Sequence, residues 1–197
     1  ATLISSEFGD TEGSLIFPLG LCKGTITIDN VSLKKTGSWQ PKIPEMVFNG
    51  DFELGNNYWN TWSGVTNKSG VGSFSDGKFT LTETQRGTEN WVIQLSTNGY
   101  FTYKRGETYS VTFNAASTES EQITLNAGED GFDVNGDGNI WSAWASKDYV
   151  LTSQMTAYTL VFTMSNTFED PQGRLNFCLG NTKGIITIDN VSVKPVQ

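Results

Sequence analysis

One short stretch has the residue types and spacing of a cation-binding loop. Asp133–Ile140, DVNGDGNI, places side-chain oxygens at positions 1, 3 and 5 through Asp133, Asn135 and Asp137, with glycine at position 6. EF-hand loops use this spacing to surround calcium with oxygen ligands. Position 12 is Trp144, however, where such a loop needs a bidentate glutamate. A turn rich in Gly, Asn and Asp explains the same residues, so a metal site and a metal-free turn both remain open.

Histidine is absent from the 197 residues, and this limits the possible chemistry. A Ser-His-Asp triad, a histidine-bound catalytic metal and a histidine general base are all excluded. Paired carboxylates remain as the common hydrolytic apparatus. We expect Glu83 and Glu121, both at predicted strand ends, to be solvated rather than to form such a pair.

Aromatic side chains are the other chemically informative group. Six tryptophans are too many for a small core to bury completely, so some should be exposed. An exposed tryptophan beside Asn, Gln, Arg or carboxylate groups suits a sugar, which has C–H faces and hydroxyl edges. The net charge of -8, without a basic run, disfavours nucleic acid and anionic membranes and is compatible with an uncharged ligand.

The elements that must position these residues are strands. Apolar and polar residues alternate in Tyr109–Ala115, Tyr158–Met164 and Leu175–Leu179, and turn sequences such as SDGK and KRGE separate these segments. No window of helical length shows a period of 3.6. The pattern predicts an all-β fold, an antiparallel β-sandwich with nine or ten strands from Met46 onward.

A repeat indicates the domain organisation. Gly13–Lys34 and Gly173–Lys194 are identical at 15 of 22 positions, at a constant offset of 160 residues. We therefore expect residues 1–35 to be the C-terminal fragment of a preceding homologous module, residues 36–45 to be a linker, and residues 46–197 to be one complete module. The fragment holds one hairpin, which is marginal alone, so we expect it to pair with a sheet edge or a neighbouring chain.

Four motifs of the complete unit carry a family resemblance. VFNGDFELG at Val47–Gly55, YWNTW at Tyr58–Trp62, NWVIQLS at Asn90–Ser96 and the closing GIITIDNVSVK together resemble carbohydrate-binding modules of family 4/9, which are related to families 16 and 22. The resemblance implies a jelly-roll sandwich whose concave sheet forms a glycan-binding cleft. It also implies a secreted, bacterial cell-surface or periplasmic location and attachment to a multimodular bacterial endo-xylanase.

The same resemblance implies a structural calcium ion, Ca2+. Glu53 and Asp189 would supply carboxylates, and the backbone oxygen of Asp51 would add a ligand. Such a site would join strands that are far apart in sequence. The alternative is that these acidic residues cap turns. The loop containing Asp133, Asn135 and Asp137 is the second and weaker metal candidate.

The resemblance also implies the sugar contacts. Trp91 matches an aromatic cleft position and Gln94 a polar one, and placing both on one face requires a β-bulge. Trp59 is expected in the core, and the position of Trp62 is left open. At least one of Trp141 and Trp144, which follow the acidic loop, is expected to contact the sugar, and Phe132 competes for this role. The amide side chains of Asn176 and Gln172, on one face of a late strand, are the remaining predicted contacts.

We expect, from these features, a non-catalytic module that binds one β-1,4-linked glycan chain and targets an attached hydrolase. Xylan is the first choice of ligand, with cellulose or mixed-linkage β-glucan as alternatives, and other modules of the same polypeptide are the expected partners. A small jelly-roll glycosidase with two carboxylates, or a calcium-stabilised adhesion domain, are the alternative functions. Cys22 and Cys178 are expected to be free thiols, because they occupy non-equivalent positions in the two copies, and a disulfide between them is the alternative.

Overall fold

The computed structural model describes residues 24–28, 45–82, 86–97 and 101–196. The chain divides into two compact units, Ala1–Pro44 and Glu45–Gln197. Of residues 1–35, only 24–28 are described. The predicted strand pairing of this segment and the predicted free thiol of Cys22 therefore lie outside the described residues. No described helix is long and apolar enough to cross a membrane.

The second unit consists of two antiparallel sheets. The seven-stranded sheet has the order β2-β1-β5-β11-β8-β9, with β6 also paired to β11, and the five-stranded sheet has the order β10-β7-β12-β4-β3. This confirms the predicted all-β sandwich. The strands are β1 Trp59–Ser63, β2 Lys68–Ser69, β3 Ser73–Ser75, β4 Lys78–Leu81, β5 Ile93–Thr97, β6 Phe101–Tyr103, β7 Thr108–Ser117, β8 Glu121–Glu129, β9 Ala143–Leu151, β10 Thr156–Thr163, β11 Asp170–Cys178 and β12 Ile186–Pro195.

The alternation seen in the sequence forms the core. In β7, Tyr109, Val111 and Phe113 point inward and are buried, while residues between them face outward. Phe177 of β11 meets Phe113 across the sandwich, with ring centroids 5.0 Å apart. Each buried aromatic or aliphatic side chain of this kind contributes roughly 1.5–3 kcal/mol to stability. Twelve strands are described rather than nine or ten, because three of them have two or three residues and therefore show no readable alternation.

The opening segment lies along the closing strand β12. The amide of Val191 donates to the carbonyl oxygen of Gly50 at 2.8 Å, and the amide of Met46 donates to Val193 at 3.0 Å. Glu45 accepts from the amide of Val193 at 2.8 Å. Trp59 is buried, as predicted, and its indole N–H donates to a carbonyl of the opening turn. The two ends of the unit are therefore joined, as the motifs at both ends predict.

Candidate functional site

A cleft crosses the outer face of the seven-stranded sheet. Its volume is about 650 Å³, which lies in the usual range for small-molecule and glycan sites. Its floor is built from outward-facing residues of β1, β5, β8 and β11, and its walls are aromatic. The lining residues are Asn60, Trp62, Trp91, Gln94, Ser96, Thr97, Asn126, Asp130, Trp141, Arg174, Asn176 and Cys178.

Trp91 forms the first wall, with 52% of its surface exposed. It lies in a single 3-10 turn, Asn90–Val92, that leads directly into β5. The side-chain amide of Gln94 donates to the carbonyl oxygen of Trp91 at 2.8 Å. The expected β-bulge is therefore wrong. The 3-10 turn ends at Val92, before Gln94, and it replaces the extended backbone on which strict alternation from Trp91 to Gln94 would depend, so both side chains reach the same cleft.

The floor of the cleft is polar and uncharged. Asn176 accepts a hydrogen bond from the hydroxyl of Ser96 at 2.9 Å, since the two residues face each other on β11 and β5. The side-chain amides of Asn126 and Asn176 lie 3.5 Å and 3.7 Å from the sulfur of Cys178. Cys178 is a free thiol, and burial raises its pKa to about 11. It is therefore protonated at neutral pH, so the floor offers neutral hydrogen-bonding groups to a ligand.

Trp141 forms the second wall and is 54% exposed. It lies near the end of the loop 130–142, which joins β8 to β9. The guanidinium of Arg174 lies over the indole, 4.7 Å from the ring centroid, in a cation–π arrangement. Arg174 also pairs with Asp130, with 3.4 Å between nitrogen and oxygen. A charged pair thus supports this wall.

The structure brings four of the seven predicted sugar contacts into the cleft: Trp91, Gln94, Trp141 and Asn176. Trp144 does not line it. Its indole N–H donates to the buried carboxylate of Asp170 at 2.8 Å, and its ring packs against Phe168 with centroids 4.9 Å apart. Ligand contact by Trp144 is therefore not supported, because the residue already belongs to β9 and its ring packs against the core.

Phe132 and Gln172 also lie outside the lining of the cleft. Phe132 is half-exposed on the same loop as Trp141. Gln172 lies in the β-bulge between Asp170 and Gly173, where β11 pairs with β6, and its side-chain oxygen is buried without a hydrogen bond. Gln172 continues the alternation of Arg174 and Asn176, but it lies where the register with β6 shifts, beyond the part of β11 that lines the cleft.

Other lining residues were not assigned to the site from the sequence. Trp62 and Asn60 lie on the outer face of β1, and Trp62 is opposite Gln94 on β5. The indole of Trp62 lies across Gly64, where an added Cβ would be 2.5 Å from the ring. The signal was present in the sequence, because a buried Trp59 sets the phase of WNTWS and turns residues 60 and 62 outward.

Two oxygens of the first predicted metal site lie near Gly77. A Cβ built on this glycine would lie 2.4 Å from Oε1 of Glu53 and 3.4 Å from the carbonyl oxygen of Asp51. Asp189 lies two residues before Val191, which bonds to the opening turn. Carboxylate and carbonyl oxygens suit a hard cation such as calcium. Among the described residues, no three His, Cys, Asp or Glu side chains form a metal-binding group.

The acidic loop forms a series of turns capped by its own side chains. Asp133 accepts from the amides of Gly136 and Gly138 at 2.7 Å and 3.0 Å. Asp137 accepts from the amide of Asn139 at 2.8 Å, and this bond lowers the pKa of Asp137. These are the contacts of an Asx-rich turn, in which side-chain oxygens accept from nearby main-chain amides. The second metal site, with Asn135 as its third ligand, stays a prediction.

The cleft can hold a neutral polyol chain. Aromatic walls offer faces for C–H groups, and the amide floor offers donors and acceptors for hydroxyls. Hydrolysis of a glycosidic bond uses a pair of carboxyl groups in most such enzymes. Among the described residues, Asp130 is the single carboxylate that lines the cleft, and it is paired with Arg174. The geometry therefore favours binding over hydrolysis.

Comparison with known families agrees with this geometry. Residues 44–184 match the carbohydrate binding domain family CBM_4_9. The chain belongs to this family of carbohydrate-binding domains. No curated protein sequence matches the chain significantly.

Solved structures show the same fold as this carbohydrate-binding domain. A CBM4 module aligns with a TM-score of 0.64 and 23% identity, covering 76% of this chain and 99% of the module. The N-terminal cellulose-binding domain of Cellulomonas fimi β-1,4-glucanase C aligns with a TM-score of 0.51 and 18% identity, covering 74% of this chain and 93% of that domain. A structure of the CBM22-1 and GH10 modules of Clostridium thermocellum xylanase 10B, complexed with xylohexaose, aligns with a TM-score of 0.52 and 15% identity. The alignment covers 78% of this chain and 28% of the two-module chain.

Proposed function

We propose that the cleft binds a single β-1,4-linked glycan chain, with xylan as the first ligand and cellulose or mixed-linkage β-glucan as alternatives. The observation that carries this proposal is the pair of half-exposed indoles, Trp91 and Trp141, with an uncharged amide floor between them. Two proteins of similar fold support the choice of ligands, since one is a cellulose-binding domain and another was solved with xylohexaose.

We further propose that the domain acts by proximity. Binding of one chain keeps an attached hydrolase, an endo-xylanase, close to its polymer, and a neighbouring module would strengthen attachment by avidity. The action requires a secreted, cell-surface or periplasmic protein, because the polymer lies outside the cell. Other modules of the same polypeptide are then the protein partners.

Titration calorimetry with xylohexaose, cellohexaose and a mixed-linkage oligosaccharide tests the ligand directly. A reducing-sugar assay on the same samples tests for hydrolysis. Binding without release of reducing ends is the expected result. Hydrolysis would instead identify a glycosidase. Absence of both would overturn the proposed function and leave the adhesion domain.

We propose that calcium binds at Glu53 and the carbonyl of Asp51, with Asp189 as the third ligand. An ion that binds only the folded state, at a free concentration of about 100 times its Kd, raises the free energy of unfolding by about 2.7 kcal/mol. Thermal unfolding with calcium and then with a chelator should therefore show a lower Tm after chelation. Glu53→Gln should abolish this difference.

A matched variant distinguishes the two metal candidates. Asp133→Ala/Asp137→Ala removes both carboxylates of the acidic loop and leaves the opening turn intact. The same calcium stoichiometry for this double variant and for the unaltered protein would exclude the second, weaker site. A loss of one bound ion would show that the acidic loop also holds metal.

A further inference from the structure

A buried carboxylate holds the loop that carries the second wall. Glu129 is the last residue of β8 and is fully buried. A carboxylate in such a place is costly unless hydrogen bonds satisfy its oxygens. Its Oε2 accepts from the amide of Val134 at 3.0 Å, and its Oε1 accepts from the amide of Ser142 at 2.9 Å. One side chain therefore holds the loop 130–142 at two separate points.

The second of these bonds acts on Trp141 itself. The amide of Ser142 belongs to the peptide unit that follows Trp141, so its bond to Glu129 fixes the orientation of that unit. The main chain of Glu129 adds a further contact, because its amide donates to the carbonyl oxygen of Ser142 at 3.0 Å. The amide of Trp141 is held from the other side by the side chain of Asn139 at 3.0 Å. The backbone on both sides of the indole is thus fixed.

The neighbouring acid supports the same ring. Asp130 pairs with Arg174, whose guanidinium lies over the indole of Trp141. Two consecutive acidic residues therefore act on one aromatic wall, Glu129 through the backbone and Asp130 through a cation. A pre-positioned wall loses less conformational entropy when a ligand binds.

We propose that Glu129 is a positioning residue, which fixes Trp141 as the second wall of the cleft and so sets glycan affinity. The effect on affinity rests on the proposed function, but the effect on the order of the Trp141 indole does not. Glu129 touches no ligand in this proposal, and its entire contribution is made through Trp141.

Glu129→Gln is the test, because glutamine offers one acceptor oxygen and turns an NH₂ group toward the other loop amide. We expect glycan affinity to fall roughly tenfold in this variant. In a double-mutant cycle, Glu129→Gln should add no further loss to Trp141→Ala. Additive losses in this cycle would overturn the proposal. If Glu129→Gln does not fold, Glu129→Asp keeps the charge, withdraws it by one methylene group and is measured in the same cycle.

Glu121 is the matched control. It also accepts backbone amides across a loop, from Lys183 and Gly184, but it lies outside the lining of the cleft. Glu121→Gln should lower the Tm and leave affinity unchanged. An equal loss of affinity in Glu121→Gln and Glu129→Gln would show a general structural effect and contradict a specific role.

An NMR measurement separates failure of this proposal from failure of the proposed function. The heteronuclear NOE of the Trp141 indole N–H reports the order of the ring without any ligand. It should fall in Glu129→Gln and stay unchanged in Glu121→Gln. An unchanged value in both variants would overturn the positioning role. If the unaltered protein binds none of the oligosaccharides, the proposed function fails, and the NOE still decides the role of Glu129.

Discussion

The two aromatic walls of the cleft have nearly the same exposure but are built in different ways. The turn carrying Trp91 is held by main-chain bonds, since the amide of Gly180 donates to Asn90 and the amide of Gly64 donates to Val92 at 2.7 Å. The loop carrying Trp141 also has main-chain bonds, but the side-chain carboxylate of Glu129 and the side-chain amide of Asn139 hold it as well. The first wall should therefore tolerate changes of charge and pH, and the second should respond to them.

Trp91→Ala should have the largest effect on binding. This indole projects from a rigid turn, beside Gln94, and central aromatic residues of this kind contribute 2 kcal/mol or more. We expect a loss of affinity of roughly 30-fold or greater in titration calorimetry with the bound oligosaccharide. Phe48→Ala is the control, because Phe48 is equally exposed but lies outside the cleft. Unchanged affinity in Trp91→Ala would contradict the placement of the first wall.

Trp141→Ala should weaken binding less than Trp91→Ala, by roughly tenfold. One face of the Trp141 indole is covered by the guanidinium of Arg174, so less of the ring is available to a sugar. The same calorimetric titration compares the two variants under identical conditions. A larger loss for Trp141→Ala would reverse the ranking of the walls.

Trp62→Ala should have a smaller effect, roughly threefold. The side chain is 37% exposed and its ring lies across Gly64, so only part of it reaches the cleft. Trp62 lies on the same side of the cleft as Trp91, because it is opposite Gln94 where β1 pairs with β5. Combined with Trp91→Ala, its effect should be less than additive, because neighbouring residues share one sugar. Full additivity would place Trp62 at a separate subsite.

Much of the fold could be predicted from the sequence because its strands have one buried face. Strict alternation in Tyr109–Ala115 identifies the inward residues and the sandwich. The 3-10 turn at Trp91 could not be predicted, since three residues are too few to show a period. The three short strands β2, β3 and β6 show no readable alternation for the same reason.

The candidate site could be predicted only in part, because its loop has no periodic pattern. Trp141 and Trp144 are three residues apart, and the choice between them depends on where β9 begins, which is Ala143. Asp130 and Arg174 have the composition of a solvated surface, and their pairing appears only when β8 and β11 lie side by side. Long-range pairing of this kind leaves no local signal in one sequence.

The smallest predicted effect is a pH response confined to the second wall. Asp137 accepts hydrogen bonds from the amide of Asn139 and from the side chain of Asn135, and these bonds lower its pKa below the ordinary value of 3.8. For an acid whose folded pKa is lowered, the stabilisation is present above the unfolded pKa and is lost as pH falls through the folded pKa. The loop should therefore keep this contribution from pH 7 to about 4 and lose it below.

Amide NMR spectra recorded between pH 7 and 2.5 would check this response. The amide chemical shift of Asn139 should change with pH, with a midpoint below pH 3.8. The amide of Gly180, which donates to the carbonyl oxygen of Asn90 in the first wall, should show no such change. Asp137→Asn keeps an acceptor for the Asn139 amide and should remove the shift. A midpoint above 3.8 would contradict the lowered pKa of Asp137. A parallel shift at Gly180 would mean that the two walls are not held independently, because main-chain bonds between amides have no proton to gain over this range.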